Sequence, residues 1–198
     1  MAVAVTSGLP PAPAPARPRV LLVGTALVAG AWFMGIVGLV GFYLSARSNA
    51  LASGGTWLPE GANLPLTPGN MAFATMLISA VSMWWAVDAV GKNDRQMAYL
   101  ALALTIFFGI AVINATSFLY AQAALPVDTL AGTLIYTVTG AHLAMIIVGL
   151  VFAGVMTFRT LGGEYHGRDR EGLTAAALFW YVTIAAHAVI WLAIYVTK

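Results

Sequence analysis

Along this chain, polar and apolar positions segregate on the scale of tens of residues. Five apolar stretches, Val20–Ser45, Asn70–Val90, Met97–Ala121, Leu130–Thr157 and Leu173–Val196, are separated by shorter polar or turn-rich segments. Each reaches the roughly 20 residues that a helix needs to cross the hydrocarbon of a bilayer. None alternates with the period of two that a barrel strand would show, and all run too long for one. A spanning segment without a barrel must satisfy its backbone internally, so each stretch is predicted to be a helix. The predicted fold is all-α: a polytopic membrane protein, with a bundle of five transmembrane helices over residues 20–198. Residues 1–19 are rich in Pro and Ala, with no charge before Arg17. They are predicted to form a disordered tail, having too little to bury, and lack the basic start and apolar core of a secretory signal.

The connections differ in kind. Residues 46–69 carry Ser53-Gly54-Gly55, Pro59-Glu60-Gly61, Pro65 and Pro68-Gly69, turn chemistry without a periodic segment. The second and third connections are short: Gly91-Lys92-Asn93-Asp94-Arg95-Gln96 and Leu125-Pro126-Val127-Asp128-Thr129. The fourth, residues 161–172, holds Glu164, Arg168, Asp169, Arg170 and Glu171.

Composition agrees with a bilayer as solvent. The 198 residues are 61% hydrophobic and 8% charged, with a mean hydropathy of +0.88. About a quarter charged is usual for a soluble domain, so a water-soluble globule, a disordered chain and a nucleic-acid surface are all excluded. The absence of cysteine removes disulfides, thiolate metal sites, Cys nucleophiles and c-type haem attachment. With the N-terminus in the cytoplasm, Arg17, Arg19, Lys92, Arg95, Arg159, Arg168 and Arg170 lie inside, and only Arg47 and Lys198 outside. This bias predicts N-terminus in and C-terminus out. Trp57, Tyr43, Tyr120 and Tyr195 then fall near the outer interface.

Within the spans, few side chains carry chemistry. Helix one has Gly24, Gly30, Gly35, Gly38 and Gly41, with Ala31 four residues before Gly35. Such spacing serves close helix packing or a groove for a lipid chain, and the two are not separable from sequence. Asp88, the only acid within a span, stands four residues before Lys92, and an ion pair on one helix face is expected. His142 and His187 sit at matched depth, roughly 17 Å from the outer helix ends at about 1.5 Å per residue. Two readings follow. The rings either make interhelical hydrogen bonds, with Thr137, Thr139, Asn114 or Thr183 as partners, or ligate a b-type haem as a bis-histidine membrane anchor. His166 is expected to be solvated. The series Trp180, His187, Trp191 and Tyr195 reads as an interface stripe. No Walker-type loop, Ser/His/Asp set or carboxylate-rich metal cluster is present. A small transporter is a third reading, though no helix is interrupted in its middle.

Three stretches carry a family resemblance. The first is Gly38-Leu39-Val40-Gly41-Phe42-Tyr43-Leu44-Ser45-Ala46-Arg47, followed by Trp57-Leu58-Pro59-Glu60-Gly61, Leu64-Pro65, Asn70 and Leu77-Ile78-Ser79-Ala80-Val81-Ser82. The second is Thr139-Gly140-Ala141-His142 with Gly149, and the third Phe179-Trp180-Tyr181 with Trp191. In order and spacing these resemble subunit III of haem–copper oxidases, in a divergent five-helix form. The resemblance implies an accessory, non-catalytic subunit of a proton-translocating terminal oxidase in aerobic electron transport, passing electrons from cytochrome c to oxygen. It implies no cofactor in this chain, with haem and copper in partner subunits; catalytic subunit I and subunit II as partners; and phospholipid held in a cleft. The location implied is a bacterial cytoplasmic (plasma) membrane. A subunit III-like partner of a quinol oxidase or nitric oxide reductase is the alternative within this family.

The sequence also departs from the family pattern. The family's helix-one Glu falls near Trp32, and helix one has no acid. The second His of its Thr-Gly-x-His-x-x-His element is Met145, its Gln-x-x-Glu element reads Thr116-Ser117-Phe118-Leu119, and the last helix has no acid at Tyr181 to Ile184. Residues expected to contact lipid or another subunit are Trp32, Gly35, Gly38, Gly41, His142, His187 and Trp191.

Overall fold

The computed structural model describes residues 19–165 and 170–197. The predicted tail up to Pro18, and His166, lie outside them. Five helices are each long and apolar enough to cross a membrane: α1 (Val20–Ala52), α2 (Leu66–Gly91), α3 (Arg95–Ala123), α4 (Leu130–Leu161) and α5 (Glu171–Ile190). The last continues into a wider π-helical coil, Trp191–Val196, and no strand occurs among the described residues.

The helices outrun the apolar stretches that predict them. α1 has 33 residues, about 50 Å at 1.5 Å per residue, against about 30 Å of hydrocarbon. Its end therefore carries Arg47 and Asn49 beyond the apolar stretch. α2 starts at Leu66 rather than Asn70. Pro68 and Gly69, read as a turn, lie instead in its first turn, where a missing N–H costs nothing because those amides have no intrahelical partner. Asp94 caps α3 by accepting from the Met97 amide at 3.1 Å, and Thr129 caps α4 by accepting from the Gly132 amide at 3.1 Å.

α5 is the hub. It lies against α1, α2 and α4, while α3 closes the far side on α2 and α4, and α1 also touches α4. Two apolar clusters meet along it. Ile36, Tyr43, Met145, Phe179, Ile190 and Ile194 join α1, α4 and α5. Met76, Met83, Leu102, Val112, Ile146 and Trp180 join α2, α3, α4 and α5. Trp180 is fully buried and donates from Nε1 to Ser79 Oγ on α2 at 3.0 Å. Its ring fits because two glycines face it. A Cβ at Gly109 would stand 2.8 Å from Trp180 Cη2, and one at Gly149 3.0 Å from Cε3. A further interhelical bond joins Ser82 and Thr105 hydroxyls at 2.8 Å.

The start of α5 is anchored by two charged neighbours. Arg170 donates from Nη1 to the Val87 carbonyl at 2.9 Å, its guanidinium filling the notch left by Gly91. Glu171 Oε1 accepts from the Leu22 amide at 3.1 Å, satisfying one of the orphan donors at the start of α1, where negative charge is favourable. Asp88 and Lys92 form the expected pair, at 2.7 Å.

Candidate functional site

The polar interior of the bundle centres on the two histidines. The His142 and His187 ring centroids are 5.0 Å apart and the planes tilt by 52°. His142 donates from Nε2 to the backbone carbonyl of Thr183 at 3.1 Å. Thr183 was among the partners expected, and it serves through its backbone because its hydroxyl donates to the Phe179 carbonyl. Hydrogen bonding between helices is thus the reading the geometry favours. The bis-histidine haem clamp is corrected: the rings lie against each other, and the cavity they line measures about 20 Å³, far too small for a porphyrin. Among the described residues no group of three or more His, Cys, Asp or Glu is placed to hold a metal ion.

The remaining walls of that cavity come from Gly69 and Ala72 on α2, Thr116 and Leu119 on α3, Thr139 and Leu143 on α4, and Ile190 and Tyr195. Thr139 Oγ1 accepts from Tyr120 OH at 2.7 Å and donates to the Ile135 carbonyl. Thr116 donates to the Val112 carbonyl. His187 stacks on Phe73 with centroids 6.0 Å apart, and Phe73 stacks in turn on Trp191 at 4.7 Å. Trp191 donates from Nε1 to Asn70 Oδ1 at 2.8 Å.

The helix-five series is not an interface stripe. Trp180 and Tyr195 are buried, His187 is nine-tenths buried, and Trp191 is half-buried. The reason is angular: residues seven apart return to nearly the same face, and here that face is the hub's inner one. The aromatics expected at the outer interface pack inward too. Tyr43 is fully buried and accepts from Trp57 Nε1 at 3.3 Å, with the two rings edge-on.

α1 presents a second, different surface. Its buried stripe is Thr25, Ala29, Ile36, Val40 and Tyr43. The opposite side carries Gly24, Ala31, Gly35 and Gly38, at offsets of seven, four and three, with Gly41 beside them. A Cβ added at Gly24, Gly30, Gly35, Gly38 or Gly41 would meet nothing within 4 Å. Trp32, where the family's acid would stand, is half-buried and edge-on to Phe179 at 6.2 Å. An apolar groove of about 580 Å³ runs between α1 and α4, lined by Val20, Leu21, Gly24, Thr25, Val28, Ile147, Val148, Val151, Phe152 and Phe179.

The expected contact residues therefore separate into two places. His142 and His187 come together inside the bundle with Trp191 at their edge; Gly35, Gly38 and Gly41 share the open side of α1, with Trp32 at its inner margin. Sequence reasoning missed Phe73 as the ring joining His187 to Trp191, and Arg170 with Glu171 as an anchor.

A family model described as cytochrome c oxidase subunit III matches residues 20–198. The cytochrome c oxidase subunit 3 of Scyliorhinus canicula is 31% identical over 160 residues, covering 79% of this chain and 59% of that protein. That of Pongo abelii is 30% identical over 161 residues, again covering 79% and 59%. That of Prototheca wickerhamii is 26% identical over 159 residues, covering 78% and 59%. The chain spans about three fifths of the length of these relatives. With five helices among the described residues long and apolar enough to span a membrane, and a family match over residues 20–198, this chain belongs to the cytochrome c oxidase subunit III family.

Proposed function

We propose that this chain is an accessory, non-catalytic subunit of a haem–copper terminal oxidase in aerobic electron transport. The haem and copper that pass electrons from cytochrome c to oxygen reside in partner subunits, of which catalytic subunit I and subunit II are the ones expected. The chain sits in a bacterial plasma membrane with its N-terminus in the cytoplasm and its C-terminus outside, following the distribution of Lys and Arg. The observation that carries the accessory role is the open glycine side of α1 in a chain of this family. Between helices in lipid, association depends on van der Waals packing, and small residues let backbones approach. Gly35, Gly38 and Gly41 offer that approach, and no other helix of the described chain takes it up. The adjoining groove of about 580 Å³ has the apolar lining that suits a phospholipid acyl chain.

The test is to purify the oxidase with and without this chain. The expected result is a core with unchanged haem and copper spectra that loses activity faster during turnover. Loss of haem or copper on deletion, or an unchanged decay of turnover, would overturn the proposal. Labelling of Asp94→Cys from the outer side of sealed cells would overturn the orientation.

A further inference from the structure

We propose that the cavity between α2, α3, α4 and α5 is a binding site for a single structural water molecule, held between the His142 and His187 imidazoles in mid-membrane. The inference stands apart from the accessory role and rests on three observations.

The first is an orphaned polar atom. His187 is nine-tenths buried, and its Nδ1 is sealed from the surface without a hydrogen-bond partner among the described residues. A buried polar atom left unpaired is costly, and native interiors rarely leave one so. The second is size. The cavity lined by both histidines measures about 20 Å³, and about 10–15 Å³ is room for one water. The third is the chemistry of the walls. The Thr183 carbonyl can only accept, so His142 Nε2 carries the proton of their 3.1 Å bond. In the uncharged ring Nδ1 then keeps a lone pair. Thr116 and Thr139 spend their protons on the Val112 and Ile135 carbonyls, leaving hydroxyl oxygens that accept.

A water closes this arrangement without an unpaired group. It accepts from His187 Nδ1–H and donates to His142 Nδ1 and to one threonine oxygen, three hydrogen bonds in all, the usual number for a buried water. An ion fits worse. A metal dication between two neutral imidazoles would carry uncompensated charge into hydrocarbon, and the walls named above hold no carboxylate. A smaller void of about 10 Å³, sharing Leu119 and Tyr195 with the first and lined also by Tyr120 and Tyr136, continues toward Leu125 after α3.

Solid-state NMR of the full chain in lipid bilayers, with ¹⁵N-labelled histidine, tests this. There are three histidines, and His166→Gln leaves the two of interest. Transfer of magnetisation from water to both imidazoles is expected despite their burial, and Ala72→Leu, which fills the cavity from α2, should abolish it. Absence of transfer to either ring in the parent chain overturns the proposal, whether or not the Ala72 variant assembles. Transfer undiminished in an assembled Ala72→Leu overturns it too, as does one tightly bound metal ion per chain that is lost in His187→Phe.

Discussion

Gly69, Gly109 and Gly149 on the inner helices and the glycines of α1 face opposite circumstances. At Gly149 the space of an absent side chain is taken by the Trp180 ring, at Gly109 by Leu150 together with that ring, and at Gly69 by the Tyr195 ring, whose Cδ1 would stand 3.0 Å from an added Cβ. At Gly24, Gly35, Gly38 and Gly41 that space is open. The same residue thus serves two ends: inside, it admits a large indole to the centre of the bundle; on α1, it flattens a helix side that no described residue covers. That open side is the observation on which the proposed accessory role rests, and not the histidines.

The sharpest way to break the comparison is to fill both kinds of glycine. Gly149→Leu should drive a branched side chain into Trp180 on a helical backbone that cannot yield. Overpacking of this kind costs about 1–3 kcal/mol, and the upper end is expected because Trp180 is also held by Ser79. Reversible unfolding of the purified chain in mixed micelles would measure it. A variant as stable as the parent would mean that Trp180 is not fixed between α3 and α4.

Removing the polar end of the same contact tests whether the indole is held by shape or by its hydrogen bond. Ser79→Ala leaves Trp180 Nε1 a buried donor without its 3.0 Å acceptor. Interhelical hydrogen bonds in membranes average about 0.6 kcal/mol with a maximum near 1.7. A loss of about 1 kcal/mol is expected in the same unfolding assay, clearly less than for Gly149→Leu. Equal losses would give the hydrogen bond the weight that shape carries here.

A surface pair calibrates the scale from below. Asp88→Asn removes the 2.7 Å contact with Lys92, whose side chain is 71% exposed. Exposed pairs four apart on a helix contribute about 0.3–0.5 kcal/mol, so the effect should be small and should vanish at about 1 M salt, where the Debye length is roughly 3 Å.

These differences mark what was legible in the sequence. Five spans were, because a bilayer demands length and apolarity and the chain supplies both. So was the matched depth of His142 and His187, with Thr183 among four possible partners; that the two rings meet was not, and the bond to Thr183 runs to its backbone carbonyl, which side-chain pattern does not mark. The inward direction of each helix was not. Lipid and core are both apolar, so an apolar stretch gives no contrast between the side that faces tails and the side that faces neighbours. This is why Trp180 and Tyr195 read as an interface stripe while they lie in the core. Helix ends were misjudged for a related reason: Arg47 and Asn49 extend α1 in a zone where polar residues tolerate helix. Arg170 and Glu171 looked like loop charge, because their partners, the Val87 carbonyl and the Leu22 amide, are backbone groups that leave no trace in side-chain pattern.

A comparably small effect on the chain itself is the one that bears most on its role. Gly38→Leu places a large side chain where an added Cβ meets nothing within 4 Å. In the isolated chain the new side chain enters lipid, so unfolding should shift by no more than about 0.5 kcal/mol, as for a surface substitution away from special features. Within an assembled oxidase the same leucine would hold a neighbouring helix away from α1 by the width of its side chain, forfeiting the packing on which association in lipid depends. Co-purification with partner subunits should therefore fall while the chain's own stability holds. If both fall together, Gly38 is an internal packing position after all, and the contrast between the two sets of glycines collapses. If neither falls, the open side of α1 faces only lipid, and the contact with partner subunits lies on another helix.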